Sequence, residues 1–396
     1  MVSDIIDIRG ACDARFEDVR DALGRNFREH GEVGAAVAVA IDGRVVVDLC
    51  AGWADLAATR PWQPDTLVNV FSVGKAMATV ALLRLVERQA LDLDAPVARY
   101  WPAFAAHDKD AITVRMVLSH RAGLPGIRTP LPPGLMYDWA GMTAALADEV
   151  PWWAPGAQHG YHVNTFGFLV GELVRRASGM SLGTFFRREV ADPLAADFHF
   201  GLGPEHDSRI ADHLLPDDDS HLVDHLLATE AADTCEAESR ARRDLLRCVY
   251  TNPSGLSGFG TVNTRAWRRA EIPSANGHAS ARGIARVYAA LASGGQVAGT
   301  RLLAPDTIMQ ATTEAVAGPD LVLGRPSRFG LGFQLSRAES PFGTSPRAFG
   351  HFGAGGAVGF ADPDARLAFA YTTNLPGPRW RNPRNRGLID AVYAAL

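Results

Sequence analysis

Apolar residues recur at helical spacing, with charges between them, through residues 12–30, "CDARFEDVRDALGRNFREH", and predict an amphipathic helix. The period then changes. "GAAVAVAIDGRVVVDLCAGWAD" gives two β-rich runs around Asp42-Gly43, a dipeptide suited to a tight hairpin. After a polar loop carrying "RPWQPDT", an almost wholly apolar helix is predicted from Ser72 to about Gln89. The middle of the chain reads as helical. "ITVRMVLSHRAGLP" predicts a helix stopped by Gly123 and Pro125, "TFGFLVGELVRRASG" one closed by Gly179, and "MSLGTFFRREVADPL" another capped by Ser181. Residues 204–250, acidic and then mixed in charge, read as exposed helices and loops laid over this half. Beyond the helical "ARGIARVYAALA", the pattern returns to short strands at "FGLGFQL" (329–335), "RAFGHFG", "GAVGFADP" and "LAFAYTTN", and a last helix at "GLIDAVYAAL".

Strands at both ends around a helical middle imply an α+β fold in which one antiparallel sheet is assembled from the two ends of the chain. Residues 1–75 and 276–396 are expected to form the sheet domain. Residues 76–275 are expected to form a mainly helical domain with a loop-rich cover, and the seam between them is where a pocket would form.

The bulk numbers narrow the function. With 47% hydrophobic and 21% charged residues the chain is that of a globular protein, and a formal net charge of -5 offers no basic field for nucleic acid or anionic membrane. The longest apolar runs are strand-sized, and the N-terminal residues lack the pattern of a secretory signal, so a cytoplasmic protein is expected. Cys12, Cys50, Cys235 and Cys248 show no paired spacing and are expected to be free thiols.

Against that background Ser72 and Lys75 stand out. Only Lys75 and Lys109 are lysines among thirty-nine basic residues. Arginine stays protonated near neutral pH, whereas a desolvated lysine can lose its proton. The two residues lie at i and i+3, on one face of the first helical turn, where unpaired N–H groups favour developing negative charge. The plainer explanation is a capping serine and a lysine snorkelling to solvent. Two further features argue for chemistry: Tyr161 at the mouth of an apolar helix, and a glycine-rich strand at 350–363 that lets another group approach its backbone.

The order Ser-x-x-Lys, Tyr, glycine-rich strand resembles the serine β-lactamase and penicillin-binding-protein superfamily, and within it the class C-like branch of family VIII carboxylesterases and 6-aminohexanoate-dimer hydrolases. "FSVGK", "LSHRAGLP", "PGAQHGYHVNTFGFLVGEL", "SANGHASARGIARVYAAL" and "FGHFGAGGAVGFADP" carry the resemblance, from about residue 15 to the end. It implies that Ser72 is the acylated nucleophile. Lys75 would lower the pKa of Tyr161, which would act as general base and then as acid to the leaving group. The backbone N–H groups of Ser72 and Ala354 would form the oxyanion hole, and His351, Phe352 and Gly353 would line the substrate site. Two departures bear on substrate. His351 replaces the lysine of Lys-Thr-Gly, and "YHVN" puts Asn164 out of register with the family's Tyr-x-Asn.

The expected activity is therefore hydrolysis of small carboxylic esters without a cofactor. An amidase, peptidase, β-lactamase or acyltransferase would use the same acyl-enzyme, and a silent scaffold that binds without catalysis is the non-enzymatic alternative. Other patterns read as structural. "GMSLG" matches a nucleophile elbow, but a helix precedes it where a strand is needed. His221 and His225, with His206 and His213 upstream, lack the glutamate of a zincin, so no metal is expected. His120 and His278 read as structural or pocket-lining, and Tyr137, Trp139, Trp152 and Trp153 as helical-domain core.

Overall fold

The structure, a computed structural model, describes residues 6–228 and 236–396. Its frame is a nine-stranded antiparallel sheet of β1 (Arg9–Cys12), β2 (Gly34–Ile41), β3 (Arg44–Gly52), β4 (Val316–Pro319), β5 (Pro326–Phe329), β6 (Gln334–Leu335), β7 (Phe349–Phe352), β8 (Val358–Asp362) and β9 (Leu367–Thr373). Their spatial order is β1-β3-β2-β9-β8-β7-β6-β5-β4. The join between the chain's two ends is the β2–β9 pair, which runs from Ala35 opposite Thr373 to Ile41 opposite Leu367. The principal helices are α1 (Glu17–Glu29), α2 (Val73–Glu87), α3 (Thr165–Ser178), α4 (Glu236–Tyr250), α5 (Ala281–Ala292) and α6 (Pro383–Ala394).

The alternation in "GAAVAVAI" explains how both sheet faces are covered. Ala36, Ala38 and Ala40 point to one side and let α5 lie close against the sheet; Val37 and Val39 point to the other and pack with Phe16, Val19 and Leu23 around α1 and with Leu388, Ile389 and Val392 of α6. Small residues under one helix and branched ones under two are what a sheet buried on both faces needs. Helix α2 is buried on every side, packing on α3 and also on β7. A helix apolar all round belongs in a core, and this one sits where sheet and helices meet.

The hairpin at Asp42-Gly43 forms as expected, with φ of 52° and 77°, as a primed turn requires. Three local expectations are corrected. Cys12 ends a strand rather than opening a helix, and the first α-helix begins at Glu17 after a short 3-10 turn. The helix in "ITVRMVLSHRAGLP" stops at Leu118, well before Gly123, because His120 turns left-handed at φ 60°. "FGLGFQL" is no single strand: Gly330 and Gly332 make the turn of a hairpin between β5 and β6, and Gly332 is a glycine because a Cβ there would overlap Thr79 of α2. Cys12, Cys50 and Cys248 carry free thiols, and Cys235 lies outside the described residues. No described helix is long and apolar enough to cross a membrane.

One buried ion pair ties α6 to the sheet. Glu32, whose side chain is 0% exposed, receives Arg384 Nη1 at 2.9 Å and the hydroxyls of Thr373 and Tyr371. Burial pushes its carboxyl pKa up, and Arg384 with the two hydroxyls pulls it back. Removing one partner of such a pair strands the other in the core. Arg384→Ala is expected to lower stability by about 3–5 kcal/mol, read as a drop in the urea midpoint, whereas Arg386→Ala, on the exposed side of α6, is expected to leave the midpoint in place.

Candidate active site

The position of Ser72 is set before its helix begins. Val68 and Asn69 pair with His278 and Ala279 in a small three-stranded sheet, and Val70 N–H donates to Gly277 O at 2.8 Å. Phe71 then takes φ 47°, a conformation that costs a bulky residue about 1–3 kcal/mol, with its ring held against His213 at 4.9 Å. The chain bends, and Ser72 heads α2. The capping alternative fails here, because the Ser72 side chain makes no cap hydrogen bond. The snorkelling alternative fails too: Lys75 is 0% exposed.

The Lys75 amine faces three oxygens, Ser72 Oγ at 2.9 Å, Val163 O at 2.6 Å and Ser274 O at 3.3 Å. Burial pushes its pKa well below the ordinary lysine value. Protonated, the amine donates to all three. Neutral, it keeps the two carbonyls and turns its lone pair to the serine hydroxyl, so the proton of Ser72 has an acceptor at 2.9 Å with no other bond broken. Burying the amine costs several kcal/mol. Val73, Met77 and Val80 on the same helix, each contributing about 1.5–3 kcal/mol on burial, offset that.

Tyr161 comes to the same point from a loop. Its hydroxyl faces Ser72 and lies 3.5 Å from His351 Nε2, and Lys75 Nζ sits 4.7 Å from the ring centre. Burial holds the phenol well above its ordinary pKa, with the Ser72 hydrogen bond pulling it back. Three successive backbone N–H groups fix the loop. Gly160 donates to His120 O at 3.1 Å, Tyr161 to Asp320 Oδ1 at 3.0 Å and His162 to His120 Nδ1 at 3.2 Å. The ring stacks on Phe329 at 5.6 Å and meets the Trp380 edge at 5.5 Å.

The third wall is the end of β7. Gly353 has Val70 O so close that a Cβ would stand 2.4 Å from it, so the end of β7 lies against the segment that leads into Ser72. The N–H groups of Ser72 and Ala354 make none of the turn and loop hydrogen bonds of the described residues, whereas Gly353 N–H is used on Ala357 O. Two expected substrate contacts are corrected. The Phe352 ring faces the far side of the sheet, stacked on Phe342 at 4.8 Å, and its N–H and C=O are taken by Gln334 and His351. His351 is fully buried and neutral, its pKa pushed down to about 3 by burial and by the nearby Lys75, and it touches Tyr161 rather than solvent.

The remaining candidates separate cleanly. Ser181 caps the helix Leu182–Phe186 and donates to Glu271 Oε1 at 2.6 Å, and Gly179 before it ends α3. His206 lies against His199, His213 is buried beside Phe71, and His221 and His225 are on or beside the exposed helix Leu222–Ala228; among the described residues no His/Cys/Asp/Glu cluster could hold a metal. His162 and His278 are structural, donating through Nδ1 to Gly160 O and Asn276 O. Asn164 braces Val249 O and Ser257 instead of reaching the site. Trp139 bonds Glu172 and Trp152 bonds Gly126 O; Trp153 alone of the tryptophan pair joins the cluster around Tyr161.

The beta-lactamase family model matches residues 16–394. The chain belongs to that family. The esterase/beta-lactamase LipL of Mycobacterium tuberculosis is 37% identical over 370 residues, 92% of this chain and 82% of the relative. A crystal structure of a family VIII carboxylesterase superposes with TM-score 0.89 at 40% identity, covering 99% of this chain and 100% of the other. A penicillin-binding protein homologue from Caulobacter crescentus gives 0.88 at 38%, with 98% and 100% covered.

Asp320, His120 and Phe71 are the site residues that sequence reasoning missed or left undecided within this beta-lactamase-family chain. Asp320 acts through backbone N–H groups, and Phe71 through its own backbone angle, which leave no periodicity to detect.

Two outcomes follow from this geometry. Gly353→Ala displaces β7 from Val70, and a shift of that kind is expected to lower kcat about a hundredfold with the circular dichroism spectrum retained. The second concerns pH. His162 is held at about 4, and His213, His278 and His351 at about 3, by burial. Unfolded imidazoles bind protons below about 6.5, so between that pH and about 3 the unfolded state holds more protons and stability falls as pH falls. The melting temperature is expected to decline steadily from pH 6.5 to 4; a flat profile would contradict neutral burial.

Proposed function

We propose that the protein is a serine hydrolase cleaving small carboxylic esters through an acyl-enzyme on Ser72. The observation that carries this is Ser72 Oγ 2.9 Å from the amine of a lysine with no solvent exposure. The esterase name of the Mycobacterium tuberculosis relative and the carboxylesterase structure support the ester as substrate.

Ser72 Oγ attacks the carbonyl carbon as its proton passes to Lys75. The expected base is Tyr161; burial pushes the lysine down and the tyrosine up, which favours Lys75 as the group that takes this proton. The carbonyl oxygen becomes the oxyanion, held by the N–H groups of Ser72 and Ala354. The carbon–oxygen bond to the alcohol breaks and Tyr161 gives its proton to the departing alkoxide, and the Lys75 ammonium returns a proton to Tyr161. Water then attacks the acyl carbon, losing a proton to the same couple, and releases the acid and free Ser72. No cofactor takes part. An ester asks less of the proton donor than an amide does, and the neutral His351 leaves the floor of the site without the fixed cation of Lys-Thr-Gly, which disfavours the peptidase and β-lactamase alternatives. The three free thiols of the described residues fit a reducing, cytoplasmic setting.

Intact-protein mass spectrometry after a fluorophosphonate or p-nitrophenyl butyrate tests the nucleophile. Wild type and Ser181→Ala are expected to gain an adduct that Ser72→Ala lacks; an adduct lost with Ser181 instead would reject the assignment. Lys75→Arg places a fixed positive charge there and cannot accept a proton. It is expected to slow acylation by about 10²–10⁴, more than Tyr161→Phe does, and the reverse order would return the base role to Tyr161.

A further inference from the structure

The floor of the site holds no fixed cation, but its rim does. Trp380 meets Tyr161 edge-on, and the Arg325 guanidinium lies 4.9 Å from the Trp380 ring centre. Arg325 is on the turn between β4 and β5, the same turn whose Asp320 holds the Tyr161 N–H. Two loops that grip the tyrosine therefore present an indole and a cation beside it.

A structural arginine spends its donors. Arg242 gives its guanidinium to Leu321 O and Val322 O, both at 2.7 Å and on this same turn, and Arg337 is answered by Glu339 at 3.1 Å. Arg325 donates to no described residue; the indole is its whole support. The carboxylate nearest in sequence, Asp320, is buried and already accepts from the N–H groups of Tyr161, Val322 and Leu323 and from the Ser327 hydroxyl. The neighbouring charges from Arg337 and Arg379 have the same sign as Arg325, and Arg379 is exposed without an ion-pair partner among the described residues. A planar guanidinium fixed on an aromatic face with its donors unspent is suited to a carboxylate.

We propose that Arg325, seated on Trp380 and assisted by Arg379, binds a carboxylate of the substrate, so that the preferred esters are those whose departing alcohol is anionic. The side follows from the site: Tyr161 gives its proton to the departing alkoxide, and Arg325 lies one indole beyond Tyr161. This rests on the acyl-enzyme reading of Ser72. The carboxylate takes no part in bond making; it orients the alcohol while the ester bond breaks.

The test compares kcat/KM for 4-nitrophenyl acetate and 3-carboxy-4-nitrophenyl acetate, which differ in one carboxylate on the leaving group. Arg325→Gln is expected to lower the anionic-to-neutral ratio about ten- to a hundredfold, mainly through KM. Arg325→Lys is expected to restore part of it, and Arg379→Gln to lower it less. Arg25→Gln, on exposed α1, is expected to leave it unmoved. In wild type, raising salt to about 0.5 M is expected to depress only the anionic ester, a reading that stands even if a variant fails to fold. A ratio in Arg325→Gln within about twofold of wild type, or equal salt sensitivity of the two esters, overturns carboxylate recognition and leaves the hydrolase in place. Failure of wild type to hydrolyse either ester, with no adduct on Ser72, overturns the hydrolase reading and this inference with it.

Discussion

A buried amine must either find acceptors or give up its charge, and the region around Lys75 is organised by that requirement. The carbonyls of Val163 and Ser274 come from two separate stretches of chain, and both are directed at one nitrogen on α2. A solvent-exposed lysine would not need them, and an arginine could not change its state there. Because the amine is satisfied with or without its proton, the hydroxyl of Ser72 faces a partner whose affinity for a proton is lowered by burial. The strained turn at Phe71 and the packing of α2 on both α3 and β7 serve to keep that short contact in place.

The other two walls are built around the same contact. The loop of Tyr161 is gripped residue by residue, through N–H groups and not through side-chain wedging, which leaves the phenol ring free to lie between Phe329 and Trp380. The end of β7 approaches because Gly353 has nothing to place between itself and Val70 O. His351, one residue pair earlier, shows how a position can be kept while its chemistry changes: an imidazole bonded through Nδ1 to the Phe352 carbonyl presents a neutral nitrogen to Tyr161.

What could be read in advance depended on whether a residue acts by its type or by its place. The β2–β3 hairpin was legible because Asp42-Gly43 leaves the backbone few options, and α2 because an apolar run of that length has to be buried. Ser72, Lys75 and Tyr161 were legible as types in a familiar order, and the structure brings them together. Phe352 reads as a substrate contact by its place in the motif, but strand alternation turns its ring to the far face. "FGLGFQL" reads as a strand because its aromatic and leucine residues alternate with glycine, a pattern that suits a tight turn packed under Thr79 equally well. The mixed-charge stretch after residue 235 reads as surface, yet α4 buries Leu246 and Val249 and brings Tyr250 into the cluster that holds Tyr161. Its polar face dominated the pattern.

The pairing of β2 with β9 also carries a consequence for how the protein is made. Residues 34–41 leave the ribosome as a very apolar strand whose partner at 367–373 is the last strand of the sheet. Its hairpin with β3 can close at once, but the other edge must wait while more than three hundred residues are synthesised. At roughly 5–20 residues per second that edge stays unpaired for tens of seconds. During that interval the nascent chain offers an open template to any other strand, including the same strand of a neighbouring copy on a polysome. Crowded translation, more than heat, is the condition under which this fold is most exposed to mispairing.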